Sequence, residues 1–532
     1  MSDTQGSSAA RTQEKNAPGG FLGWIEKVGN FLPHPFWLFV ILGGVTLVAS
    51  WLGATAGMNA SDPKSHQSVQ VTNLLTADGA QKIVAEAIKN FINFPPLGVI
   101  ITAMLGVAVA EHSGLLSALV RGMVAKTNPK MVTFLVALAG VTGSVASDAV
   151  YVIVIPLGAM AFYALGRSPI VGAMVAFAAS SAGFNASLVL NITDLLLAGI
   201  STSAAQLVEP SYNVNGLSNI FFVIPSSIVL ALIIAAVTEL FVDRKAHELI
   251  DHNHINEKEV TIGDKVPETE EERLAQLELA DVEKRGLLVA ALALAATLAV
   301  YFALLFVPGT PFVGDAGVMK SPLVANIAVP ISLMFLISGA AYGVRVGSIT
   351  SAGQIPEMME KGLATILPMI VLFFAVSQFL AWFEWSKLGA WTSIRGAELL
   401  QSVHLPSWAL FGLFVALVFM LNLVITSGSA QWALMAPVVV PIMMYLGYSP
   451  EVTQMLFRLG DSPSNIITPM SPYFAIALTF LQRYYKKAGV GTLISLSLPY
   501  SIAMVVGWYL FFMLWYTLGI PLGPGAPMHF PA

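Results

Sequence analysis

Uncharged apolar stretches recur along the chain at 36–56, 219–238, 287–307, 322–343, 363–383 and 492–519. Each is long enough for a bilayer-spanning helix, which needs about 20 apolar residues. Between them lie stretches of similar character that Gly, Ser, Asn, Pro or a charge interrupts, near 96–110, 131–165, 170–200, 408–446 and 451–480. Residues 77–94 and 114–126 read as interfacial amphipathic helices. The first 30 residues are polar, carry Arg11, Lys15 and Lys27, and lack the apolar stretch of a signal peptide; they read as a cytoplasmic tail.

Composition agrees with a polytopic membrane protein: 56% of residues are hydrophobic, 11% are charged, and the mean hydropathy is +0.74. Twenty of the charged side chains fall between Asp243 and Arg285. That segment reads as a charged cytoplasmic linker between a first transmembrane half, 31–242, and a second, 286–532. The net charge of -5 gives no basic stripe for nucleic acid, and the absence of any Gly-Lys pair excludes a phosphate-loop ATPase. With no cysteine there is no disulfide and no thiolate metal site. The run from His247 to His254 has metal-binding residue types but sits in the charged segment, where a solvated linker is the simpler reading.

Lys and Arg are retained on the cytoplasmic side of short loops. Nineteen of the 26 basic residues fall on one side, six on the other, and Arg458 within a membrane segment, provided that two segments turn back where they entered. These are hairpin one, about 131–165, with both feet inside, and hairpin two, about 408–446, with both feet outside. Nine full spans remain, with the N-terminus cytoplasmic and the C-terminus periplasmic. Shifting the sequence by 281 positions aligns Pro156 with Pro437, Leu165-Gly166 with Leu446-Gly447, Ser168-Pro169 with Ser449-Pro450, and Ser181 with Ser462. In both copies a hairpin leads into a polar-broken helix, so the repeats are inverted. The expected fold class is an all-α polytopic membrane protein of nine helices and two re-entrant hairpins, an architecture by which secondary transporters build a midplane site.

Non-helical backbone at membrane depth must be buried in protein or line a water-filled cavity. Four breaks are expected: Gly143–Asp148; Ser180–Asn185 continuing to Asp194; Thr426–Trp432; and Gly460–Asn465 continuing to Pro469. Half-helix N-termini in such breaks attract carboxylates, and carbonyls with Asp or Asn bind cations. Asp194 and Asp461 stand out, because a lone charge at the bilayer centre costs about 2.5–3.5 kcal/mol. Arg458 and Asp461 are three apart, the spacing of an ion pair on one helical face, whereas Asp194 has no local partner and would suit a proton carrier. Asp148 fits a cap as well as an ion site. Trp432 could stack an aromatic solute or simply pack. The polar residues Ser427, Ser429, Ser462 and Asn465 fall in the same breaks.

Five motifs carry a resemblance: Ser-Gly-Ser-Ala-Gln-Trp (427–432), Tyr-Ser-Pro-Glu-Val (448–452), Arg-Leu-Gly-Asp-Ser (458–462), Asn-Ile-Ile-Thr-Pro-Met (465–470) and Gly-Val-Gly-Thr-Leu-Ile-Ser (489–495). Together they resemble the AbgT family, the p-aminobenzoyl-glutamate transporters and related antimetabolite efflux pumps, nearly end to end. The resemblance implies a homodimer of bowl-shaped protomers in a bacterial inner membrane. It implies functional roles for Asp194, Asn422, Ser429, Trp432, Pro450, Arg458, Asp461 and Pro469. The Asp and Asn positions are associated with cation coupling, and sodium at Asp194, Asn422 or Asp461 is the implied metal. Trp and Arg are associated with substrate passage; Arg458 would suit a carboxylate or sulfonamide. In hairpin one, Gly143–Asp148 replaces the Ser-Asn-Thr turn that relatives often carry.

The sequence therefore predicts no enzyme and no cofactor. The expected protein is a secondary transporter, driven by protons or sodium, that exports p-aminobenzoate-like aromatic carboxylates and sulfonamide antimetabolites. The closest alternative is an importer of p-aminobenzoyl-glutamate or a dicarboxylate. A passive channel is a third reading. An intramembrane aspartyl protease is more remote, since Arg-Leu-Gly-Asp (458–461) lacks the first glycine of its Gly-x-Gly-Asp signature.

Overall fold

The computed structural model describes residues 33–530 other than 62–66, 125–129, 147–148, 251–253, 261–268, 270–271, 274–276, 314–317 and 319–320. The N-terminal tail, Asp148 and parts of the charged linker lie outside the described residues. Helix α1 (Pro35–Thr55) is followed by a two-stranded antiparallel ribbon, β1 (Asn59–Ser61) and β2 (Ser68–Gln70), a small departure from an all-helical chain. Then come α2 (Ala77–Ile92), α3 (Pro95–His112) and α4 (Leu115–Val124). The first has no buried residue, as an interfacial helix should. The last is a correction: α4 buries Leu115, Leu116, Ala118, Val120 and Val124 against the hairpin that follows.

That hairpin is α5 (Val132–Gly143) and α6 (Ala149–Ala164). After it, α7 (Pro169–Phe177) widens into a π-turn at Ala178–Ala182, and the chain runs irregularly to α8 (Ile192–Ala205). The first half closes with α9 (Ile220–Val237). The second contains α10 (Asp281–Phe306), α11 (Ala328–Val346), α12 (Gln354–Trp385) and α13 (Leu388–Val403), then a hairpin of α14 (Ser407–Asn422) and α15 (Gly428–Tyr445). It ends with α16 (Pro450–Ser464), α17 (Pro472–Tyr484) and α18 (Val490–Thr517). Among the described residues eight helices are long and apolar enough to cross a membrane. All six uninterrupted apolar stretches lie on them, except that 322–343 is split by a kink before Ala328.

The 281-residue repeat is visible element by element. Gly166 and Gly447 both take the left-handed conformation, at φ 71° and 88°. Ser168 and Ser449 are both N-caps, and Pro169 and Pro450 both open the next helix. A left-handed glycine, a serine and a proline thus make the same turn twice. Contacts are reciprocal as well: α8 packs on α15, and its counterpart α17 packs on α6.

Side-chain bonds at the feet show that the hairpins enter from opposite ends. At hairpin one, Thr133 Oγ1 donates to Glu239 at 2.6 Å and Arg167 pairs with the same carboxylate at 2.8 Å, beyond the C-terminal end of α9. At hairpin two, Ser407 meets the Tyr448 hydroxyl at 2.8 Å. There the Gly447 carbonyl accepts from Phe530, and the Glu451 carbonyl accepts from Asn219, the residue preceding α9. The two sets of feet are therefore separated by the length of α9, about 27 Å at 1.5 Å per residue.

Small residues set the close approaches. The arms α6 and α7 cross at Gly158 and Gly172, where a Cβ on either residue would run into the other's carbonyl oxygen. Backbone cannot yield as a side-chain tip does. Gly172→Val is accordingly expected to destabilise the protein by about 3 kcal/mol or more, read as a lowered thermal unfolding midpoint in detergent; an unchanged midpoint would mean the crossing is not packed this way.

Candidate functional site

Helix α16 is buried along its whole length, all fifteen residues from Pro450 to Ser464. Glu451, Gln454, Arg458 and Asp461 recur on it at intervals of three and four, which places them on one face. That face meets the first half of the chain. Gln454 accepts from Ser201 on α8 at 2.7 Å, Arg458 reaches Asp194 at 2.5 Å, and Asp461 accepts from Asn185 Nδ2 at 2.6 Å. One polar seam thus joins the two repeats through the middle of the molecule.

Asp194 is the third residue of α8, held there by a capping box with Asn191. Its Oδ2 accepts from the Asn191 backbone N–H at 2.8 Å, and its Oδ1 takes Arg458 Nη1. Both side chains are almost fully buried, 1% exposed for Arg458 and 5% for Asp194. Two opposite charges removed from water this completely offset each other only while both are present.

Asp461 is the charge that this pair leaves over. It faces the N-terminus of α15: a Cβ on Gly428 would lie 3.1 Å from both carboxylate oxygens, so glycine is what admits the carboxylate to the first turn. Ser427 caps that helix, its hydroxyl accepting from Ala430 N–H at 3.4 Å. Asn422, the last residue of α14, donates to the Asp461 carbonyl at 2.7 Å, to Ser464 at 2.8 Å and to Asn465 Oδ1 at 2.9 Å. Ser462 accepts from the Asn185 backbone N–H at 3.2 Å. Three buried oxygens in this corner, Asn185 Oδ1, Asn422 Oδ1 and Asp461 Oδ1, have no hydrogen-bond partner among the described residues. A carboxylate and two amide oxygens are the donor set of a hard monovalent cation or, at the carboxylate, of a proton.

The corner opens into a cavity of about 520 Å³ whose wall includes Asp461, Asn185, Asn465, Ser427, Ser429 and the hairpin-one residue Ser144. Aromatic faces complete it. Phe184 and Phe457 line it, and Tyr151 and Tyr473, also on the wall, stack at 4.1 Å with ring planes 11° apart. Glu111 adds a second carboxylate. None of the lining residues is Lys, Arg or His.

Residues 20–530 match the sequence profile of the AbgT putative transporter family. The chain belongs to the AbgT family. The p-aminobenzoyl-glutamate transport protein of Escherichia coli (strain K12) is 35% identical over 510 residues, which cover 95% of this chain and 96% of that protein. The YdaH transporter of Alcanivorax borkumensis, whose structure has an unusual topology, superposes with a TM-score of 0.83 at 36% identity, covering 92% of this chain and all of that one. MtrF of Neisseria gonorrhoeae, from a class of antimetabolite efflux pumps, gives a TM-score of 0.86 at 38% identity over 96% of this chain and 100% of its own. The protein is thus a membrane transporter of the AbgT fold.

Several expectations change within this AbgT frame. Arg458 pairs not with Asp461, three residues away, but with Asp194 across the repeat boundary, so Asp194 is neither alone nor available to a cation here. Arg458 is not among the residues lining the cavity. Trp432 is fully buried. Its ring packs on Phe457 at 4.6 Å and its Nε1 donates to Ser201 at 3.0 Å, so it backs the cavity wall instead of forming it. Gly460–Ser464 remain helical and the fourth break starts at Asn465; likewise Gly428–Trp432 are helical, with the third break ending at Ser427. Pro450 stands at the far end of α16, about 16 Å along the helix from Asp461 at 1.5 Å per residue, and Pro469 lies in the break before α17. Asn185, Gln454, Ser201 and Glu451 were not singled out individually. The spacing 451, 454, 458, 461 in an otherwise apolar chain was the available signal.

Proposed function

We propose that this AbgT protein is an ion-driven exchanger that exports p-aminobenzoate-like aromatic carboxylates and sulfonamide antimetabolites, with Asp461 as the coupling group. The observation that carries this reading is a cavity with aromatic walls whose charged lining side chains are carboxylates, Asp461 and Glu111. What p-aminobenzoate and the sulfonamides share is an aniline, and a carboxylate accepts its N–H groups. The ring lies naturally against Phe184, Phe457 and the Tyr151–Tyr473 stack. An aniline hydrogen-bonded to Asp461 competes with a proton or a sodium ion for the same oxygens. Mutual exclusion at one carboxylate is what exchange requires, because the carrier then crosses with one ligand or the other. Asn185 and Asn422 supply the remaining oxygens if the ion is sodium. The arginine pair at Asp194 stabilises the interface on which the two halves move. Relatedness to MtrF supports the efflux reading.

The E. coli relative supports a second reading of the substrate, the p-aminobenzoyl-glutamate conjugate. Proteoliposomes loaded with labelled p-aminobenzoate and given separate proton or sodium gradients distinguish the cases. Exchange predicts uphill substrate movement opposite to the flow of one cation. Movement in the same direction as the cation would favour the importer, and saturable flux indifferent to both gradients would remove ion coupling.

A further inference from the structure

A second cavity, of about 360 Å³, lies at the foot of α16, walled by Asn213, Asn215, Ser218 and Glu451 and closed by Pro524 and Gly525 of the C-terminal segment. By the charge distribution this is the periplasmic side. Glu451 is 3% exposed. A glutamate in a first helical turn ordinarily serves the helix end, but here Ser449 caps that end, its hydroxyl accepting from Val452 N–H at 3.2 Å. Helix capping does not account for the rest. The carboxylate faces a cavity into which the Ser218 residue, 2% exposed, brings a buried hydroxyl with no hydrogen-bond partner among the described residues.

The ionisable group that faces Glu451 is Tyr212, from the loop between α8 and α9, whose hydroxyl donates to Oε2 at 2.9 Å. Burial, and then the Glu451 charge, hold that phenol above its ordinary range, so it stays a donor. From the start of α9 the neighbour is its neutral N-cap residue, Asn219. Other titratable groups on the segments gathered here are bonded elsewhere, Glu209 to Ser211, Tyr448 to Ser407 and His529 to Tyr516. Among the described residues no Lys, Arg or His forms an ion pair with this carboxylate.

The Glu451 backbone carbonyl also heads a chain of hydrogen bonds that ends in a packing contact at the central site. Asn219 donates to the Glu451 carbonyl at 3.1 Å, and Gln454 donates to Asn219 at 2.8 Å. Ser201 donates to Gln454 at 2.7 Å, and Trp432 to Ser201 at 3.0 Å. Trp432 then packs on Phe457, which lines the central cavity. We propose that the cavity at the foot of α16 is a second site for the monovalent coupling cation, bound by the Glu451 carboxylate and the Ser218 hydroxyl, and that its occupancy is transmitted along this chain to the central cavity. The inference rests on the ion-driven reading above.

The test compares two fluxes in the same proteoliposomes, gradient-driven movement of p-aminobenzoate and gradient-independent exchange of labelled for unlabelled p-aminobenzoate, with proton and sodium arms run separately. Glu451→Gln is expected to lower the ratio of driven to exchange flux at least about tenfold in the arm that drives the wild type. Ser218→Ala is expected to raise the cation concentration for half-maximal stimulation by about threefold to tenfold in that arm. A Glu451→Gln ratio equal to that of the wild type, whether both fluxes persist or both fall together, would overturn the site and leave Glu451 a structural residue. A wild type driven by neither gradient would instead defeat the ion-driven reading itself, so the two failures are distinguishable.

Discussion

Arg458→Ala and Asp194→Ala are each expected to lower the unfolding free energy by about 3–5 kcal/mol, because either change leaves one charge buried without its partner. The pair spans 264 positions of sequence and joins the two repeats at mid-chain, so the loss should appear as separation of the halves before either half melts. A double substitution to apolar residues of similar size, Arg458→Met with Asp194→Leu, is expected to recover most of that stability. It should not recover transport, since the moving interface would then lack the polar contact that can be broken and remade. Thermal unfolding of purified variants beside proteoliposome flux measures both. Single variants as stable as the wild type would show that the pair is not buried together; a fully active double variant would show that it has no part in the transport cycle.

Asp461→Asn is the second large effect. Asparagine nearly matches the carboxylate in shape and keeps an acceptor toward Asn185, but it neither binds a proton nor carries charge. Gradient-driven movement of p-aminobenzoate is expected to fall to the level of empty liposomes. Substrate binding should weaken by less: losing a charge-assisted hydrogen bond costs about 1.5–3 kcal/mol, about tenfold to a hundredfold in affinity. The cation dependence of binding should vanish altogether. Binding that still weakens as the cation is raised would place the competition at another group, and Glu111, on the same wall, would be the one to examine.

The architecture was legible because it rests on pattern. Unbroken apolar runs predict α1, α9 and α18 to within about two residues, whereas α10 and α12 begin well before their apolar runs, at Asp281 and Gln354, and the run at 322–343 is kinked before Ala328. The basic residues required two hairpins, and the bonds at Thr133, Arg167 and Ser407 put their feet at opposite ends of the molecule. The repeat survived in a glycine, a serine and a proline because the turn they form tolerates little else. The partners in the site were less legible. Arg458 and Asp461 satisfy the three-residue rule on a helix, yet Asp194 is reached across a contact that no local spacing encodes. Trp432 illustrates the same limit: chemistry offers stacking or packing, and only the position of Phe457 decides that it packs. The extent of the breaks was overestimated because Gly, Ser and Pro at 460–464 mark chain that is able to unwind, whereas full burial of α16 keeps its last turn helical.

The central claim is that the cavity between the hairpin tips and the broken helices is the passage for substrate, and the natural absence of cysteine makes it directly testable. Ser429→Cys, on the cavity wall, and Ser402→Cys, at the exposed end of α13 outside the membrane-spanning helices, can each be labelled in proteoliposomes with a membrane-impermeant thiol reagent. Saturating p-aminobenzoate is expected to slow labelling at position 429 at least about tenfold and to leave position 402 unchanged. Equal labelling of position 429 with and without substrate would contradict the account.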